Sequence, residues 1–119
     1  MTPFGATLRY MREERGLSQT KFANIIHLHA RVLSAIETGR RQPPAPEVIR
    51  QWAQLIGLSD VELKRLEEAA QDSPYVIRLP KTTSPRALVL AHRVVRALEY
   101  LQQDQFSAIQ QVLEQGGKP

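Results

Sequence analysis

With 119 residues and no cysteine, the chain can form neither a disulfide nor a thiolate metal site, and its length suits about four to six helices around one core. It has no basic-then-apolar leader and no run of about 18 apolar residues, which predicts a cytoplasmic protein with no membrane segment. The net charge of +4 is uneven: residues 1–44 hold seven Lys and Arg against three Glu, residues 45–73 hold three against six Asp and Glu, and residues 74–119 hold six against three. A cationic N-terminal third suits phosphate binding, whereas the acidic middle should face away from a polyanion.

Taken in order, the chain reads as all-α. Thr2-Pro3 supplies a capping hydroxyl and a proline at the first helical position. Phe4, Leu8 and Met11 then make one buried stripe, with Arg9, Arg12, Glu13 and Arg15 outside it, until Gly16 stops the helix. Ser18 caps a second helix with Phe22, Ile25 and Ile26 as its apolar face. His27 and Leu28 interrupt the period. It resumes from Ala30 with Leu33, Ala35 and Ile36, and Gly39 ends the third helix. The opposite face of this helix is small and polar, with Ala30, Arg31, Ser34 and Glu37, a shape that fits a DNA major groove.

These residues resemble the helix-turn-helix of the lambdoid phage repressors, Cro proteins and bacterial XRE (xenobiotic response element) regulators. Gly16-Leu17-Ser18-Gln19 before the second helix, Ala23 inside it, and Ile36-Glu37-x-Gly39-Arg40 closing the third carry the likeness, which spans Phe4 to about Leu63. Two positions depart from the family pattern. His27 stands where glycine is favoured in the turn, which histidine tolerates better than most residues. His29 stands where Ser or Thr is favoured as cap, a change that could cost about 1 kcal/mol.

The resemblance implies roles. Ala30, Arg31, Val32 and Ala35 would read bases, and only Arg31 can donate paired hydrogen bonds to guanine. Ser18, Gln19, His29 and Ser34 would meet the DNA backbone. Arg12 would pair with Glu37 beside that backbone, as a structural ion pair that aims the arginine at a phosphate. Arg40 and Arg41, directly after the reading helix, are placed to reach flanking phosphates.

Pro43 and Pro44 keep that helix from running on. A fourth helix starts near Pro46 with Val48, Ile49, Trp52, Ala53, Leu55 and Ile56 as its apolar set, Trp52 being a core residue, and ends at Gly57. Ser59-Asp60-Val61-Glu62 is a capping box for a fifth helix to about Ala70, with Leu63 and Leu66 inward. Residues 1–72 are thus expected to be a five-helix, repressor-like reading domain.

Residues 73–119 change character. Prolines bracket the β-prone run Tyr75-Val76-Ile77-Arg78-Leu79, which reads as a short extended arm or as a strand pairing with its copy in a second subunit. Ser84-Pro85 opens a long helix to about Gln102, whose Ala87, Leu88, Ala91, Val94, Val95, Leu98 and Leu101 form a two-heptad seam. A last helix from about Asp104 is expected to carry Phe106, Ile109, Val112 and Leu113 inward, with Gly116 to Pro119 as a frayed tail. The expected architecture is a C-terminal helical hairpin for dimerisation, with Tyr75, Val76, Ile77, Leu88, Ala91, Val94, Val95, Leu98 and Leu101 at the interface.

No catalytic chemistry is legible. There is no Gly-rich phosphate loop, no Ser/His/Asp spacing and no paired carboxylates, and His27-x-His29 lacks a third metal ligand nearby in sequence. His92 reads as a surface or interface residue. No cofactor is expected. The sequence predicts a DNA-binding transcriptional regulator, in the repressor sense, binding double-stranded DNA at a palindrome as a homodimer. In the alternative reading it is an antitoxin-type or regulatory interaction protein whose C-terminal region binds a protein partner.

Overall fold

The computed structural model describes residues 1–116, so residues 117–119 of the expected tail lie outside the described residues. Among these it is all-helical, without a strand: α1 (Pro3–Glu14), α2 (Gln19–Ile25), α3 (Ala30–Glu37), α4 (Pro46–Ile56), α5 (Asp60–Gln71), α6 (Pro85–Ala97) and α7 (Gln103–Gly116). No helix is long and apolar enough to cross a membrane. The chain divides into two compact units, Met1–Ile77 and a second from Arg78 onward.

In the first unit α1 packs on α3 and α5, α2 on α3, and α4 on α5. Phe4, Leu8 and Met11 of α1, Phe22 and Ala23 of α2, Leu33 and Ile36 of α3, Ile49 and Trp52 of α4, and Leu66 of α5 share one core. Full burial of a large apolar side chain contributes about 1.5–3 kcal/mol, so these residues hold α3 in place. The helix starts follow the caps read from sequence. Thr2 Oγ1 accepts from the Gly5 N–H at 3.1 Å, and Ser59 and Glu62 bond reciprocally as a capping box.

Three contacts were not legible. Gly5 lies where α1 crosses the end of α3, so close that a β-carbon would strike the carbonyls of Ile36 and Glu37. Ser73, past the end of α5, is buried at 3 % exposure. Its hydroxyl accepts from the Phe4 N–H at 2.9 Å and donates to the Ala69 carbonyl at 2.7 Å, tying the start of α1 to the end of α5. Arg15 donates to Glu62 at 3.1 Å and to the Ile56 carbonyl at 3.2 Å, joining α1 to the corner between α4 and α5.

Some expectations need correction. Ile25 and Leu55, read as apolar-face residues, are exposed at 36 % and 47 % because each lies at the edge of its helical stripe. The helix expected to reach Gln102 stops at Ala97 with Leu98 as its C-cap. The Gln105 side chain reaches back to the Gln102 N–H at 2.8 Å, so the next helix claims these residues for its own start. Leu98 and Leu101 therefore lie in the connection rather than in α6.

The second unit has its own logic. Ser84 caps α6 by accepting from the Ala87 N–H at 3.1 Å. No residue of α6 or α7 is buried, so Phe106, Ile109, Val112 and Leu113, expected to point inward, are instead exposed, because two short helices alone enclose no core. Ala91, Val94 and Leu101 are half-buried, while Leu88, Val95 and Leu98 remain 41 %, 60 % and 47 % exposed. At the end of the first unit Tyr75, Val76 and Ile77, which belong to neither helix nor strand, are each about three-quarters exposed.

Candidate nucleic-acid interface

Ser18 Oγ accepts from the Lys21 N–H at 3.1 Å and fixes the start of α2. That helix ends in a left-handed residue. His27 has φ +60, the Leu28 N–H reaches the Ala23 carbonyl at 2.8 Å, and the His27 N–H reaches Asn24 at 3.3 Å. Leu28 anchors the turn by packing against the core, so the sequence expectation of a turn without glycine is met at the expense of about 1–2 kcal/mol of backbone strain.

The start of α3 is capped by His29, whose Nδ1 accepts from the Arg31 N–H at 3.1 Å. Leu33, Ile36 and Glu37 point inward and are buried. That phase leaves Arg31, Ser34, Ala35 and Thr38 on the outer stripe, at steps of three, one and three. Arg31 and Thr38 are exposed, and Ser34 and Ala35 are half-buried. Of the residues expected to read bases, Ala30 and Val32 are half-buried and packed against the core, so each offers only part of its surface outward. Thr38 was not singled out, although its spacing of seven from Arg31 signals it.

Gly39, at φ +83, closes α3. Its own N–H bonds to Ile36, and the Arg40 and Arg41 N–H groups both bond to the Ala35 carbonyl, at 2.9 and 3.1 Å. A β-carbon there would also crowd Thr2 at 3.0 Å. The two arginines leave this turn exposed. Thr38 Oγ1 accepts from Arg40 Nε at 3.2 Å and donates to the Ser34 carbonyl at 2.9 Å, which steadies Arg40 beside the outer stripe.

Beneath α3 sits a buried polar cluster. Arg12 Nε and Nη2 donate to the two oxygens of Glu37 at 2.8 and 3.2 Å, and Nη1 donates to the Leu17 carbonyl at 2.8 Å. Gln19 Nε2 adds a third donor to Glu37 at 3.0 Å. Hydrogen bonding to Glu37 is the main reason the Arg12 guanidinium is held above its usual pKa. At 8 % exposure, with all three nitrogens engaged, Arg12 has little surface left for a phosphate. Gln19 is half-buried and keeps its carbonyl and one amide hydrogen free.

The arrangement can present one guanidinium and three small side chains to a groove, with two further guanidinium groups at its edge. Among the described residues no group of three or more His, Cys, Asp or Glu is placed to share a metal ion. A family model described as a helix-turn-helix domain matches residues 3–66, just over half of the chain. Comparisons with curated proteins and with solved structures gave no match.

Proposed function

The chain belongs to the helix-turn-helix domain family, and from that premise we propose that it is a sequence-specific DNA-binding transcriptional regulator, a repressor that acts in the cytoplasm as a homodimer on a palindromic operator. It is a binding protein rather than an enzyme. The observation that carries this reading is the outer stripe of α3, Arg31 to Thr38, held over a rigid core and followed by the exposed Arg40 and Arg41. Arg31 donates to guanine O6 and N7, and Ala35, with the outward parts of Ala30 and Val32, contacts thymine methyls. Ser18, Gln19, His29, Ser34, Arg40 and Arg41 meet phosphates, while Arg12 acts chiefly through Glu37.

A single head of this size contacts few base pairs, so specificity requires two heads about one turn of DNA, roughly 34 Å, apart. Support for a second copy comes from the region after residue 73. Leu88, Val95 and Leu98 remain exposed in one chain, and so do Tyr75, Val76 and Ile77. Two short amphipathic helices without a single buried residue have little to hold them folded alone. Selection of bound duplexes from a random pool by the full chain tests the proposal. A two-fold symmetric site supports it, and enrichment no better than for bulk DNA refutes it.

A further inference from the structure

We infer that His29 is a positioning residue for DNA reading: its neutral imidazole fixes the backbone of Arg31, and protonation of that ring loosens the start of α3. The inference rests on the reading of α3 as the groove-facing helix. His29 Nδ1 lies 3.1 Å from the Arg31 nitrogen and accepts its N–H. A ring nitrogen that accepts carries no proton, so the neutral ring carries its hydrogen on Nε2. The exposed ring then offers DNA a donor only, which suits a phosphate oxygen.

A second proton would have to enter at Nδ1. There it would face the Arg31 N–H and remove the acceptor that caps the helix. No carboxylate of α1, α2 or α3 is bonded to the ring. The only charged residue of α2 is Lys21, and the turn adds His27. On α1 the charged residues are Arg9, Arg12, Glu13 and Glu14, with Arg15 at its end; Glu13 is bonded to Arg9 and Glu14 to Tyr10. On α3 itself Glu37 is engaged by Arg12 and Gln19, leaving Arg31 as the other charge. Arg31 is the second residue of α3, so loss of the cap frees the backbone that aims it. The sign is therefore opposite to that of a histidine that acts only as a cation toward phosphate, for which acid strengthens binding.

The test compares the full wild-type chain with His29→Asn, which keeps a capping oxygen but does not titrate. The probe is a duplex selected by the wild-type protein, and affinities are measured at pH 8 and pH 5.5. Wild-type affinity should fall about fivefold relative to the variant, the scale of a lost cap, while every pH effect common to the two proteins cancels. A constant ratio, or wild type gaining on the variant in acid, overturns the inference. Nitrogen NMR of the free chain gives an answer that needs no DNA. An Nε2–H ring with an Arg31 amide that shifts as it titrates supports the cap, and an Nδ1–H ring overturns it. If no duplex is selected at all, the DNA-binding reading fails while the spectrum still decides the cap.

Discussion

Arg12 and Glu37, one near the end of α1 and the other at the end of α3, form a two-point ion pair with side chains 10 % and 2 % exposed. Beside the shared apolar core, the pair ties the scaffold to the candidate reading helix. Its energetics are asymmetric, because a buried charge that loses its partner costs more than the intact pair contributes. Glu37→Ala should lower stability by about 3–5 kcal/mol in urea unfolding. Arg12→Met combined with Glu37→Leu should recover most of that loss. A double variant as unstable as the single one would show that the site depends on the charges themselves.

Arg40 and Arg41 differ from Arg31 in what they should do to DNA binding. Arg40→Ala and Arg41→Ala should each weaken all sequences alike and reduce the slope of log affinity against log salt by about one. Affinities at several salt concentrations check this. A changed base preference with an unchanged slope would make that arginine a groove reader.

The Arg15–Glu62 contact gives a pH signature. Hydrogen bonds from Arg15 and from the Ser59 N–H hold the Glu62 carboxyl below its usual pKa. A carboxyl depressed in the folded state adds stability that is present above its unfolded value, about 4.3, and is lost as pH falls through its folded one. Both side chains keep about a quarter of their exposure, so solvent screens the pair. Glu62→Gln should cost about 0.5–1 kcal/mol at pH 7 and almost nothing at pH 3. A gap that persists at pH 3 would point to packing instead.

Much of the first unit was legible because each helix carries both a period and a cap: Thr2-Pro3, Ser18, Ser59 with Glu62, and Gly39 all lie at real boundaries. What the sequence hides is tertiary. Gly5 reads as a weak helix residue and is required only because α3 crosses it, and Ser73 reads as linker although Phe4 bonds to it. The candidate site shows the same division. The limits of α3 follow from its period, but family resemblance assigns Ala30 and Val32 to bases, whereas helical phase from Leu33 and Ile36 turns them partly inward and brings Thr38 out. The end of α6 was misplaced because a continuous heptad seam carries no stop signal, and the competing start of α7 decides it.

Assembly can be tested by truncation. Because Ser73 belongs to the first unit, a chain cut after Ile77 retains the complete core and should fold as a monomer. It should bind a half-site weakly. In the full chain Leu98→Asp should dissociate the proposed dimer and reduce affinity for a palindrome far more than for a half-site. Sedimentation at micromolar concentration checks both. A monomeric wild-type chain with palindrome binding intact would contradict the homodimer, and a chain that becomes stable only with a second polypeptide would favour the protein-partner reading.

The measurement closest to the central claim is the binding-site logo of Arg31→Ala beside that of wild type. Arg31 is the one outer-stripe residue able to donate paired hydrogen bonds to a base, so its loss should cost about 1–3 kcal/mol on the best site. It should also erase the preference for one guanine, at symmetric positions in the two half-sites. An unchanged logo would show that α3 does not read DNA through Arg31 and would contradict the interface proposed for this helix.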